Sequence, residues 1–317
     1  MFPGIVKGLR FCFFSVCLAN PSKKEYNEEN AAASSLPEGR GCRSVEAIVL
    51  IKEFLGFGGY TREPEGFLSW QHLLFVAYLM TGMVVLAVLL GRRNRRRDER
   101  TKNRVLIWAA VLIDAIDLFV NVVTCINEGG LEPIRRMLPL FLCSIMLIAL
   151  PLAAFSRGRL REAALDFVFI FGLLIAVMGT VGAGQNYSAY PVLSLINVSS
   201  GLTHAISGFA ALYIGITGMA SMKKANIPIT FAILFFFCAA AYIADVTLDY
   251  NYMFLMRGDG TPYDLFYNLV NGNRVLYPLI VVALFLLYIV LFYLAFFLFK
   301  RRKAAKEAVR AGGKTSG

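Results

Sequence analysis

From Phe67 onward the chain alternates long apolar runs with short polar loops. Seven runs stand out, roughly 67–91, 105–126, 137–155, 163–184, 199–222, 228–250 and 275–299. Each approaches the ~20 residues a helix needs to cross ~30 Å of hydrocarbon at ~1.5 Å per residue. Backbone groups in lipid must be satisfied internally, and nothing alternates with the period of two that a barrel strand requires. The pattern therefore predicts an all-α fold: a polytopic bundle of seven transmembrane helices over residues 67–300. Pro139 and Pro151 bracket the third run, and proline inside a helix removes a backbone bond and bends it.

The first 66 residues read differently. Lys7 and Arg10 precede a short apolar run, Phe11 to Ala19, which resembles a signal-peptide core without a convincing cleavage site. Residues 20–43 are polar and expected to be disordered. Val45 to Leu55 carries Glu46, Lys52 and Glu53 among apolar positions, which fits an interfacial amphipathic helix or, the favoured reading, a poorly ordered extension with no specific job. Residues 1–66 are thus read as an extension and 301–317 as a basic tail.

The loops then set direction. Arg92, Arg93, Arg95, Arg96, Arg97, Arg100, Lys102 and Arg104 follow the first run; Arg157, Arg159 and Arg161 the third; Lys223 and Lys224 the fifth; Lys300 to Lys303 the seventh. The intervening loops hold Arg135, Arg136, Arg257 and Arg274. This asymmetry predicts a cytoplasmic C-terminus, with the segment before the first span outside, in a multi-pass protein of the cell membrane.

Composition agrees: the chain is 57% hydrophobic. Its net charge of +11 reads as bilayer orientation rather than as a nucleic-acid surface. Six cysteines (12, 17, 42, 125, 143 and 238) form no CxxC pair, so neither a zinc site nor a redox motif is signalled, and no cofactor or metal is expected. Asn186-Tyr187-Ser188 and Asn197-Val198-Ser199 match the glycosylation pattern, which chance triplets also do.

With the direction set, depth can be counted. Cys143 falls about six residues, or ~9 Å, inside the outer edge of the third span, and His204 and His72 about five residues inside theirs. Asp245 and Asp249 end the sixth span on the same side, with Asn251 and Tyr252 just beyond. Asp114 and Asp117 lie nearer the midplane. Ionisable groups at such depths usually face a bundle interior or a wet cavity. Each also has a plainer reading: cysteine as a small buried hydrophobe, histidine as a helix cross-link, the aspartates as partners of Arg257 or Arg274. A disulfide between Cys125 and Cys143 is a further alternative.

Trp70-Gln71-His72-Leu73-Leu74, Leu138-Pro139-Leu140-Phe141-Leu142-Cys143, His204, and Asn251-Tyr252-Met253-Phe254-Leu255 occur in this order. Together they resemble the YwaF family of bacterial integral membrane proteins over about residues 67–300. That family is similar to a eukaryotic transmembrane acyltransferase that makes ether phospholipids with a cysteine and a histidine. It resembles more distantly the androgen-induced threonine–histidine hydrolases of fatty acid esters of hydroxy fatty acids. Carried over by position, the resemblance implies Cys143 as nucleophile and His204 as base, acting on membrane lipids. Phe141 departs from the pattern, which often has histidine there.

The function expected is thus a lipid acyltransferase or acyl-ester hydrolase. His72, Asp245, Asp249, Asn251 and Tyr252 are supporting residues. A carrier lined by the intramembrane aspartates, or a non-catalytic scaffold, are the competing readings. Val275 to Phe299 has no lysine for a retinal Schiff base, and Ser156-Arg157-Gly158-Arg159 is no acidic–arginine receptor motif.

Overall fold

The computed structural model describes residues 41–312, with side chains over 46–306. The signal-like run Phe11 to Ala19 lies outside the described residues. So does most of the expected disordered stretch, whose last three residues open the first helix. The described residues contain helices and no strand. In order these are α1 (Gly41–Leu55), α2 (Trp70–Asn94), α3 (Glu99–Glu128), α4 (Glu132–Arg136), α5 (Met146–Phe155), α6 (Gly158–Val181), α7 (Gly184–Ala189), α8 (Leu195–Thr217), α9 (Ile227–Leu248), α10 (Asp264–Leu269) and α11 (Leu276–Gly312).

Six of these are long and apolar enough to cross a membrane: α2, α3, α6, α8, α9 and α11. The third apolar run is the exception. Only its second half is helical, and at ten residues α5 covers about 15 Å, half of a bilayer core. Residues 138–145 form turns instead, so the expectation of seven full-length helices is corrected to six plus a partly unwound segment. The physical reason is local. Pro139 donates no backbone bond, and Ser144 closes a tight turn on Phe141, its hydroxyl donating to the Phe141 carbonyl at 3.2 Å. Pro151, by contrast, is accommodated inside α5.

Helix ends follow sequence chemistry. Ser69 accepts from the His72 amide (3.3 Å) at the start of α2, and Asp98 from the Thr101 amide (3.2 Å) before α3. Gly129 and Gly218 take positive φ just past α3 and α8. The next amide in each reaches back five residues, Gly130 to Cys125 and Met219 to Ile214. At its other end, α11 continues through Lys300–Lys303 into residues expected only as a basic tail, because Lys, Arg, Ala and Glu favour the helix.

The chain divides into two compact units. The first comprises residues up to Leu90, Trp108–Leu138 and Leu174–Phe209. Here Phe54, Leu55 and Phe57 pack with Met137 and Ile196 on Val120, Val123 and Leu195. That contact anchors the C-terminal end of α1, while Ile48, Leu50 and Ile51 stay exposed. Glu53 clasps the following loop through the Thr61 and Arg62 amides and the Thr61 hydroxyl. Burial alone would raise its carboxyl, but these bonds hold it below the usual carboxylate range.

The second unit comprises Gly91–Ile107, Pro139–Leu173 and the chain from Ala210 on. In it the basic stretches gather at one end. Asn94 donates to the Tyr213 hydroxyl (3.0 Å), which donates to the Lys102 carbonyl (3.3 Å). Asn103 donates to the Ala154 carbonyl (2.8 Å) and accepts from Arg161 (3.2 Å). Arg159 reaches the Ala225 carbonyl, Lys223 pairs with Glu162, and Lys224 lies over the Phe297 ring. The chain therefore leaves this end along α3 and is back at it by Ala154.

Candidate active site

The two histidines belong to the first unit, and both border the same turn of α6 in different ways. His72 is fully buried. Its Nδ1 accepts from the Leu68 amide (3.1 Å), which places the proton on Nε2, and Nε2 donates to the Thr180 carbonyl (3.2 Å). The ring also packs on Tyr187, 3.9 Å between centroids. Both nitrogens thus have a hydrogen-bond partner.

His204 is wired the opposite way. Its Nδ1 stands 2.5 Å from the Ser200 carbonyl one turn earlier on α8. A carbonyl only accepts, so Nδ1 carries the proton and Nε2 holds the lone pair. The ring lies against Gly179 of α6, where any Cβ would overlap Cδ2 and Nε2. Gly179 has no left-handed φ to account for it. The missing side chain is what leaves space for the imidazole.

Cys143 belongs to the second unit. It sits in the turn segment, not inside a helix, and is an exposed free thiol. The disulfide alternative therefore drops out. Two residues earlier, Phe141 packs edge-on against Tyr252 and Tyr250, with centroids 5.2 and 6.1 Å apart. Asp245 fixes Tyr252 by accepting from its amide (2.5 Å), and its other oxygen, Oδ2, is buried with no hydrogen-bond partner. Asn251 folds the next loop: its Oδ1 accepts from Met256 and Arg257, and its Nδ2 donates to the Arg257 carbonyl and to Asp259. Asp249 is exposed with φ 50° just after α9, and the Tyr250 amide reaches back to Asp245. Its position is the C-terminal cap of α9.

Sequence reading missed Asp166. It is fully buried in α6. It accepts from the Met222 amide (2.9 Å), Asn226 (3.0 Å) and the Tyr293 hydroxyl (3.2 Å). The one available signal was an acid interrupting the apolar run 163–184. Of the two glycosylation triplets, Asn197 is fully buried and bonded to the Tyr190 and Pro191 carbonyls, which removes it as an acceptor. Among the described residues no cluster of three potential metal ligands occurs.

Neither a curated protein nor a solved structure matches the chain. A family model does, over residues 67–299, nearly the extent read from the motifs as 67–300. It is a family of transmembrane proteins under another name than the YwaF resemblance gave. By that match the chain, a multi-pass membrane protein, belongs to the TMEM164 family.

Proposed function

We propose that this protein is a membrane lipid acyltransferase or acyl-ester hydrolase in which Cys143 is the nucleophile and His204 the base. The observation that carries the reading is the wiring of His204: Nδ1 is tied to the Ser200 carbonyl, so Nε2 is the nitrogen left to take a proton. The exposed free thiol of Cys143, in a turn beside aromatic side chains, adds to it. Both residues are also those the motif resemblance implies.

In this reading Nε2 removes the thiol proton and the thiolate attacks an acyl ester carbonyl. The tetrahedral intermediate collapses, the C–O bond breaks, and the imidazolium returns the proton to the leaving alcohol. A lysophospholipid hydroxyl or water, deprotonated in turn by His204, attacks the thioester and regenerates the thiol. Asp245 and Tyr252 act as positioning residues through the Tyr252–Phe141 contact.

The topology we propose with it is seven crossings, the third partly unwound, with the gathered basic end in the cytoplasm of a cell-membrane protein. The return of the chain to that end at Ala154 supports it. The test is labelling of the lipid-reconstituted protein with a long-chain thiol-reactive acyl mimic. Labelling lost in Cys143→Ser and sharply reduced in His204→Ala is expected. Labelling indifferent to His204 would overturn the assignment. A carrier reading has one observation of its own: Asp114, Asp117 and Asn121 share a face of α3, with Asn121 Nδ2 on Asp117 at 2.8 Å. Substrate flux that depends on the aspartates and not on Cys143 would favour it.

A further inference from the structure

At the basic end of the second unit an open cleft of about 480 Å³ lies between the start of α3 and the turn from α5 into α6. Arg100, Arg157 and Arg161 line it, together with Glu99, Asn103 and Ser156. We propose that this cleft binds the phosphate of an anionic phospholipid headgroup.

Charge is the first reason. Glu99 is the carboxylate in the lining, and Lys102 already pairs with it at 3.0 Å. Arg161 is held by Asn103 at 3.2 Å and stands 3.9 Å from Glu99. Among the described residues Arg100 and Arg157 make no ion pair. Two planar guanidinium groups thus face the cleft uncommitted, the geometry that favours two-pronged contact with phosphate oxygens.

The second reason is independent of charge. The Ser156 hydroxyl is buried and makes no hydrogen bond. Buried hydroxyls without a partner are rare, and a phosphate oxygen in the cleft would accept from it. The first turn of α6 begins two residues later and brings its positive end to the same place.

A lipid is the source because of where the cleft sits. Phe155 lines it and is 60% exposed, and Leu160 is exposed just beyond. The polar groups therefore stop where apolar side chains face outward, which is the level of a headgroup with its acyl chains alongside. Asn103, through the Ala154 carbonyl, holds the two walls together, so the cleft is built before any ligand arrives.

The experiment measures lipids co-purifying with the full-length protein by native mass spectrometry, with phosphatidylglycerol and phosphatidylcholine offered in equal amounts. The variants are Arg100→Gln/Arg157→Gln, which leaves the Asn103–Arg161 contact intact, and Arg301→Gln/Arg302→Gln on α11 as a charge-matched control. Retention of phosphatidylglycerol is expected to fall about tenfold or more in the cleft variant, as two basic groups at a membrane surface warrant. The control is expected to retain it. Equal losses in the two variants would mean diffuse attraction to a basic surface and overturn the proposal. Displacement of the lipid by millimolar inorganic phosphate would overturn the lipid source and make the cleft a site for soluble phosphate.

Discussion

The contact between Gly179 and His204 makes a prediction that separates packing from backbone. Gly179 lies inside α6, where alanine is normally favoured by about 1 kcal/mol. A Cβ there would overlap the His204 ring, and forcing an extra carbon into a packed interior costs about 1–3 kcal/mol. Gly179→Ala is therefore expected to be neutral to destabilising by about 2 kcal/mol with histidine at 204. With His204→Ala the ring is gone, and the same change should stabilise by up to about 1 kcal/mol. The coupling between the two sites is thus about 1–3 kcal/mol, measurable as a double-mutant cycle. Thermal unfolding of the four proteins in one detergent reads it, at about 2–4 °C per kcal/mol for a chain of this size class. A second readout follows from the wiring of the ring. Turning the imidazole to escape the Cβ breaks the Nδ1 contact with Ser200, so thiol-probe labelling of Cys143 is expected to fall in Gly179→Ala, as the proposed function expects of His204→Ala. Equal thermal shifts for Gly179→Ala in the two backgrounds would refute the reasoning, because the cost would then lie in the backbone and not in the ring.

Three further outcomes are expected. His72→Ala, which leaves the Leu68 amide and the Thr180 carbonyl without their partner, should cost about 2–4 kcal/mol of stability; the probe labelling of whatever protein remains folded should be unchanged. Asp166→Asn sets an amide donor against the Asn226 donor and should lower the melting temperature by several degrees, with Asp166→Ala lowering it further. The Glu53 clasp is a carboxylate held below its ordinary range, so its contribution is fully present above about pH 4.5 and is lost as pH falls through the lower folded-state value. Proteolysis of the 56–66 loop should accelerate below that pH in the native chain and already at neutral pH in Glu53→Gln; a loop equally protected in both would remove Glu53 from the account.

Much of this molecule is written in its apolar pattern, because a bilayer leaves few choices. A long apolar run such as Val275 to Phe299 has one way to satisfy its backbone in lipid, and α11 is where the pattern puts it. The same economy made the basic loops legible as one set, and contacts such as Arg161 to Asn103 bring their residues to one end. Pro139 marked the third run as special, yet only the structure decided that the segment before α5 unwinds. That outcome rests on a hydroxyl of Ser144 turning back on Phe141, a local competition that hydropathy does not register.

The histidines divide what sequence and structure each contribute. Composition singled them out as two rare titratable groups at similar depth, and at that level they are equivalent. What separates them is the partner of each ring nitrogen: an amide donor and a carbonyl for His72, and for His204 the carbonyl and hydroxyl of Ser200, both on Nδ1. Asp166 and Gly179 were illegible for the same reason. Tyr293 lies 127 residues from Asp166 along the chain, and Gly179 owes its place to a ring from another helix. The sequence determined which segments enter the membrane, because burial in lipid depends on composition over a whole span of about twenty residues. Which ring nitrogen is bonded and which is left without a partner was decided by tertiary packing, because a hydrogen bond depends on a few tenths of an ångström between segments far apart in the chain.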